Sequence, residues 1–163
     1  MTTVVKKKIV KTNAIRLVEQ QKIAYVEHQY EWSEEHLSAN DVAQQLGEQE
    51  NIYKTLVAVG NKTGPLVAVI PGNRALDLKK MAKASGNKKV EMLHLRDLEA
   101  TTGYIRGGCS PVGMKKLFPT YFDQSAESLP TMIVSAGRRG LQIEVAPQDL
   151  AKITRGYFVD IIE

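Results

Sequence analysis

The run Asn51-Ile52-Tyr53-Lys54-Thr55-Leu56-Val57-Ala58-Val59 has the content of a buried β-strand, and Asn61-Lys62-Thr63-Gly64 separates it from a second apolar run, Pro65-Leu66-Val67-Ala68-Val69-Ile70. Two such runs joined by a four-residue turn predict a β-hairpin, with Pro65 tolerated because it opens the second strand. One residue breaks the pattern. Strand side chains alternate faces, so Lys54 shares its face with Ile52, Leu56 and Ala58, where an ammonium is partly dehydrated. A lysine so placed either snorkels from an edge strand or performs a task, and its spacing alone leaves both open.

The remaining pattern alternates short helices and strands. Thr12-Asn13 predicts a capped helix to about Lys22, with Ala14, Ile15, Val18 and Lys22 on successive turns. Ala24 to Tyr30 alternates as a strand, and Ser38 precedes a short helix from Ala39 to Leu46 that Gly47 ends. Asp77 to Ser85 reads as a helix with Leu78, Met81 and Ala82 inward, followed by a strand near Val90 to Leu95 and a short helix near Asp97 to Thr102. Further on come a strand from Thr131 to Ser135, a turn at Gly137-Arg138-Arg139-Gly140, a returning strand Leu141 to Val145, a helix from Pro147 to about Thr154 and a last strand from Tyr157 to Ile162. Hairpins outnumber βαβ units. The expectation is an α+β fold, a single domain over residues 1–163 whose curved, mixed and largely antiparallel, barrel-like sheet is covered by helices.

Composition narrows the chemistry. A single cysteine excludes an intramolecular disulfide or a multi-cysteine zinc site, and the three histidines have no metal-ligand spacing, so neither metal nor cofactor is expected. No apolar stretch reaches the ~18 residues of a membrane span, and the Met1-Thr-Thr-Val-Val-Lys-Lys-Lys start lacks the order of a signal peptide; a soluble cytoplasmic protein is expected. The net charge of +4 is modest, but Lys6-Lys7-Lys8, Lys79-Lys80 with Lys83, Lys88-Lys89, Lys115-Lys116 and Arg138-Arg139 are clustered. Such patches favour a polyanion through phosphate neutralisation, and a solvated face accounts for any one of them equally well.

Among segments able to carry chemistry, Gly107-Gly108-Cys109-Ser110-Pro111-Val112-Gly113 lets backbone approach a ligand and offers unshielded amide donors, as an oxyanion or carbonyl site requires; a structural turn is the commoner meaning of Gly-Gly. It is neither a P-loop nor a dinucleotide fingerprint. Cys109 invites a nucleophile reading with His28, His36 or His94 as base, against the ordinary role of a lone cysteine as a small buried hydrophobe. Ser135, ending an apolar strand, fits a turn-capping hydroxyl better than a nucleophile. Tyr30 and Trp32 flank Glu31 and could wall a site, although a tyrosine on a strand is more often packed than catalytic.

Lys54-Thr55, the Gly107–Gly113 segment and Val134-Ser135-Ala136-Gly137-Arg138-Arg139-Gly140 together resemble the signature of the YbaK/EbsC family of trans-editing aminoacyl-tRNA deacylases, over a stretch from about Lys11 to the C-terminus. The resemblance implies an enzyme that hydrolyses the ester joining a wrong amino acid, cysteine foremost, to tRNA(Pro). It implies aminoacyl-tRNA and prolyl-tRNA synthetase as partners, and a mechanism in which the substrate's own thiol attacks the ester carbonyl and a thiolactone forms. Lys54 would steady the reacting end, Gly107 and Gly108 would shape the pocket, and Tyr30, Thr55, Pro111 and Ser135 would line it. Another small ester such as Ala-tRNA(Pro), a non-catalytic module that binds tRNA or a synthetase, and a small-molecule esterase using Cys109 or Ser135 are the alternatives.

Overall fold

A computed structural model describes residues 11–30 and 50–163. The helix expected at 39–46, Trp32, His36 and Lys6 to Lys8 lie outside the described residues. The first helix, α1, is Asn13–Gln20, capped by the Thr12 hydroxyl, which accepts from the Ile15 amide at 3.1 Å. Eight residues do not make a stable helix alone, and α1 persists because Ala14, Ile15 and Val18 are fully buried. It ends two residues before the expected Lys22, which has a left-handed φ of 58° and cannot continue it.

The strands are β1 (Val26–Gln29), β2 (Tyr53–Gly60), β3 (Gly64–Pro71), β4 (Val90–Met92), β5 (Thr120–Asp123), β6 (Met132–Arg138), β7 (Leu141–Val145) and β8 (Tyr157–Val159). Between them lie α2 (Leu78–Ser85), α3 (Leu98–Thr102) and α4 (Pro147–Thr154). β2 and β3 form the expected hairpin in the register Lys54↔Ile70 and Ala58↔Leu66. Gly60 pairs with Gly64, so the loop is one residue tighter than the sequence suggests. The Asn87 carboxamide fixes it by accepting from the Lys62 and Thr63 amides at 2.8 and 3.1 Å.

The strands do not close into a barrel. They form a five-stranded sheet, β4-β2-β3-β5-β8, and a three-stranded one, β1-β7-β6. Four of the six pairings are antiparallel, while β5 pairs in parallel with both β3 and β8. β5 has only four residues, too short for a periodicity to mark it as a strand. The two sheets touch at β2, whose second edge is divided between partners: Ile52 makes one parallel bridge to Ile133 of β6, and Ala58 to Gly60 pair with β4, while the end strands β1 and β8 do not pair.

The core lies on both sides of the larger sheet. Leu66, Ala68 and Ile70 of β3 pack with Met81 of α2 and Ile161, and Val67 and Val69 pack with Phe122, Val134, Ile143, Ile15 and Leu150. At about 1.5–3 kcal/mol for each fully buried large aliphatic or aromatic side chain, these clusters fix the strand faces. In α2, Lys80 bonds Asp160 at 3.1 Å and the Ile162 carbonyl at 2.9 Å. That lysine ties down the C-terminal segment, while Lys79 and Lys83 stay exposed.

The glycine-rich segment is held by Tyr104. Its buried hydroxyl donates to the Val112 carbonyl at 2.6 Å, and its ring lies against Gly137, where an added Cβ would come within 2.9 Å of Cε1. Asn13 of α1 reaches the same segment, donating to the Gly113 carbonyl at 2.9 Å. Tyr104→Phe orphans a buried acceptor. It should cost about 1–2 kcal/mol, lowering Tm by roughly 2–8 °C in a thermal melt with the far-UV spectrum preserved.

Candidate active site

Beyond the Ile52–Ile133 bridge, β2 and β6 part. Lys54 and Ser135 each lie two residues past it, so the pleat turns both side chains to the side shared by Ile52 and Ile133. The 105–113 loop packs against both β2 and the β6–β7 turn. Its Gly108 packs against the backbone of Arg138 and Arg139, and its Cys109 joins Val57 of β2 and Tyr104 in one apolar cluster. The Arg139 Nε donates to the Arg106 carbonyl at 2.8 Å and clamps the same contact. An added Cβ on Gly108 would stand 3.0 Å from the Arg139 nitrogen, so only glycine allows this approach.

Not both of the expected loop amides are available. The Gly108 N–H donates to the Ile105 carbonyl at 3.0 Å, closing a β-turn whose third residue, Gly107, has φ 86°. The turn itself consumes the Gly108 amide. The Gly107 N–H has no partner among the described residues.

Lys54 is half-buried and makes no hydrogen bond or ion pair among the described residues. Burial lowers its pKa from the ordinary 10.5. Two buried side-chain atoms lack hydrogen-bond partners among the described residues: Thr55 Oγ1, next to Lys54 in sequence, and Gln142 Oε1. Ser135 pairs with Gln142, and Gln142 with His28, so these three form one cross-strand row on the side that Lys54 faces. Buried polar groups are paired in the great majority of cases, and of these two orphans only Gln142 stands on the side that Lys54 faces.

The next row toward the bridge is saturated. Glu144 accepts from His28 at 2.7 Å, from Asn51 at 3.3 Å and from the Thr131 hydroxyl. These bonds, Thr131's first and His28's next, hold its carboxyl below the usual range. Glu144 therefore offers a fixed negative charge that already has its partners.

The fold brings Lys54 and Ser135 to one side of the parting strands, and sets Gly107 in the turn whose next residue, Gly108, packs on Arg138 and Arg139. Ser135 Oγ accepts from the Gly137 amide at 3.2 Å. Tyr30 sits beyond the β6–β7 turn, its amide donating to the Gly140 carbonyl at 3.0 Å, with burial raising its phenol pKa. Thr55 projects from the opposite face of β2 to Lys54, because neighbouring strand residues alternate. Pro111 lines a cavity of about 210 Å³ with Leu17, Phe118 and Ile153, a lining that does not include Lys54. Gln142 escaped the sequence reading, since a polar residue alternating with Leu141 and Ile143 looks like an ordinary outward strand position. Its pairing with Ser135 becomes visible only in the register.

Cys109 is 9% exposed, and burial pushes its thiol up to about 11, with a weaker opposing bond from Thr102. A thiol so protonated is a poor nucleophile at neutral pH. Relative to the 9.0 of an unperturbed thiol, the thiolate fraction falls about 100-fold, so iodoacetamide should label native Cys109 at least about 100 times more slowly than urea-unfolded protein at pH 7.5. Rapid labelling of the folded chain would contradict this.

An aminoacyl-tRNA editing domain model matches residues 33–153. The chain is 66% identical over 152 residues, 93% of each chain, to EbsC of Enterococcus faecalis (strain ATCC 700802 / V583), a candidate Cys-tRNA(Pro)/Cys-tRNA(Cys) deacylase. A solved structure of a candidate trans-editing enzyme for prolyl tRNA synthetase superposes with TM-score 0.78 at 25% identity, covering 95% of this chain and 99% of the other. Another, of a hypothetical protein, reaches TM-score 0.84 at 23% identity over 93% of this chain and 100% of its own, a likeness of fold alone. A domain match over most of the chain and a relative of this identity agree: the chain belongs to the aminoacyl-tRNA editing domain family.

Proposed function

We propose that this chain is a trans-acting deacylase of the cytoplasm that cleaves the ester between cysteine and tRNA(Pro). The observation that carries the reading is a half-buried Lys54, unpaired among the described residues, facing the same opening as Ser135, with no competent nucleophile beside it among those residues. Cys109 is buried and protonated, and the Ser135 hydroxyl accepts from the Gly137 amide with no base hydrogen-bonded to it. A site with a fixed cation and little else suits a substrate that brings its own nucleophile. The cysteine thiolate attacks the ester carbonyl carbon, a carbon–sulfur bond forms, the carbon–oxygen bond to the ribose breaks, and the ribose oxygen takes a proton. The product is free tRNA and a thiolactone, which water opens. Lys54 donates to the carbonyl oxygen as it gains negative charge, and the Gly107 amide, which has no partner among the described residues, is the candidate second donor.

The name of the Enterococcus faecalis relative supports both the cysteinyl ester and tRNA(Pro), and gives Cys-tRNA(Cys) as a second substrate. The description of the solved structure supports prolyl-tRNA synthetase as a partner in delivery. Alanyl esters differ by a small side chain, which pocket contacts alone discriminate by about 1–3 kcal/mol. A thiol nucleophile separates them much further.

The test is a deacylation panel with Cys-, Ser-, Ala- and Pro-tRNA(Pro) and Cys-tRNA(Cys). The cysteinyl esters should be cleaved fastest, with Ser-tRNA(Pro) at least about 100-fold slower because an alcohol is far less ionised than a thiol. Lys54→Ala should lower kcat by about 100-fold or more, and Lys54→Arg should not restore it, since the guanidinium places its donors differently. Tm of Lys54→Met should equal or exceed that of the parent, because a partly dehydrated, unpaired charge is removed. Normal turnover by folded Lys54→Ala would overturn the role of Lys54, and Ala-tRNA(Pro) cleaved as fast as Cys-tRNA(Pro) would overturn substrate-thiol attack.

A further inference from the structure

We propose that Gln142 holds the α-ammonium group of the aminoacyl ester, with its Oε1 as the acceptor; the inference rests on the deacylase reading above. Gln142 is only 6% exposed, yet Oε1 has no partner among the described residues. A buried amide oxygen left unpaired costs the fold free energy unless something binds it. The cross-strand register sets Gln142 directly opposite Ser135, and Ser135 lies level with Lys54 across the parting strands. Gln142 therefore stands on the side that Lys54 and Ser135 face, beyond Ser135 from Lys54.

Charge decides which part of the substrate goes there. An aminoacyl ester carries a cationic amine one carbon from an electrophilic carbonyl. The amine is repelled by the Lys54 ammonium, whose proper partner is the carbonyl oxygen. It must lie where oxygens face it and a negative field persists. Gln142 Oε1 is such an oxygen, and the Glu144 carboxylate, ionised and saturated by His28, Thr131 and Asn51, supplies the field from the adjoining row of β7. Lys54 and Gln142 thus fix the two ends of the aminoacyl group and set the side chain's direction. A free amine becomes a required feature of the substrate, which separates aminoacyl-tRNA from N-blocked esters.

The experiment compares kcat/KM for Cys-tRNA(Pro) and its des-amino analogue, 3-sulfanylpropanoyl-tRNA(Pro), which keeps the thiol and loses only the amine. Native protein should prefer the cysteinyl ester by about 10- to 100-fold, the range of one charge-assisted hydrogen bond. In Gln142→Leu that preference should shrink to within about threefold, through loss on the cysteinyl ester alone. Gln142→Glu should retain it, as a carboxylate still accepts from an ammonium. Gln142→Leu should melt at or above the parent's temperature, because an apolar group replaces an unpaired polar one, whereas a purely structural glutamine would lower Tm. An unchanged preference in Gln142→Leu, or equal losses on both esters, would overturn the inference while leaving the deacylase reading intact. Native protein that cleaves neither ester would overturn the deacylase reading and this inference with it.

Discussion

The structure turns on a single backbone contact, the Ile52–Ile133 bridge with its 2.8 Å hydrogen bond from the Ile133 amide to the Asn51 carbonyl. It joins two sheets that otherwise have different partners. On one side of it Asn51, Thr131 and Glu144 knit the strands into a saturated polar cluster; on the other the strands part. Had β2 and β6 zipped along their length, the two sheets would have merged and Lys54 and Ser135 would have been neighbours across a continuous ladder. Their separation opens a space lined by side chains from two sheets and bounded by the loop that Tyr104 and Arg139 hold.

That opening is costly to keep. A half-buried ammonium and two buried oxygens, all without partners among the described residues, each oppose folding. The Lys54 contribution has a definite sign. Its pKa is lower folded than unfolded, so the unfolded chain binds more protons; the cost is present at neutral pH and fades as pH rises toward the unfolded value. The apolar clusters on both sides of the five-stranded sheet offset these costs. In the proposed function a bound ester would satisfy Lys54 and Gln142 with both groups already in place, while Thr55, on the other face of β2, would keep its cost.

The sequence was most legible where side-chain periodicity meets long elements. The β2–β3 hairpin, the α1 and α2 caps at Thr12 and Asp77 and the α4 start at Pro147 follow from local chemistry. The pairing of distant strands does not. Nothing local in Tyr121-Phe122-Asp123 says that it enters a sheet in parallel between β3 and β8, or that β2 would divide one edge between β4 and β6. The site shows the same split. Lys54 announces itself by breaking a pattern, and Gly107-Gly108 by composition, but which amide the turn consumes is a matter of φ. Gln142 is silent in sequence because its significance is a partner it lacks.

The account's central claim is that the parting of β2 and β6 is where the aminoacyl end binds. A crystal structure with 3′-(cysteinylamido)adenosine, an amide that cannot be hydrolysed as the ester is, tests this most directly. The account predicts the cysteinyl group in the opening, its carbonyl oxygen within hydrogen-bond distance of Lys54 Nζ and its amine against Gln142. Cysteinyl density instead in the cavity lined by Pro111, Phe118 and Ile153, or in the one lined by Asn61, Lys89 and His94, with Lys54 untouched, would contradict it.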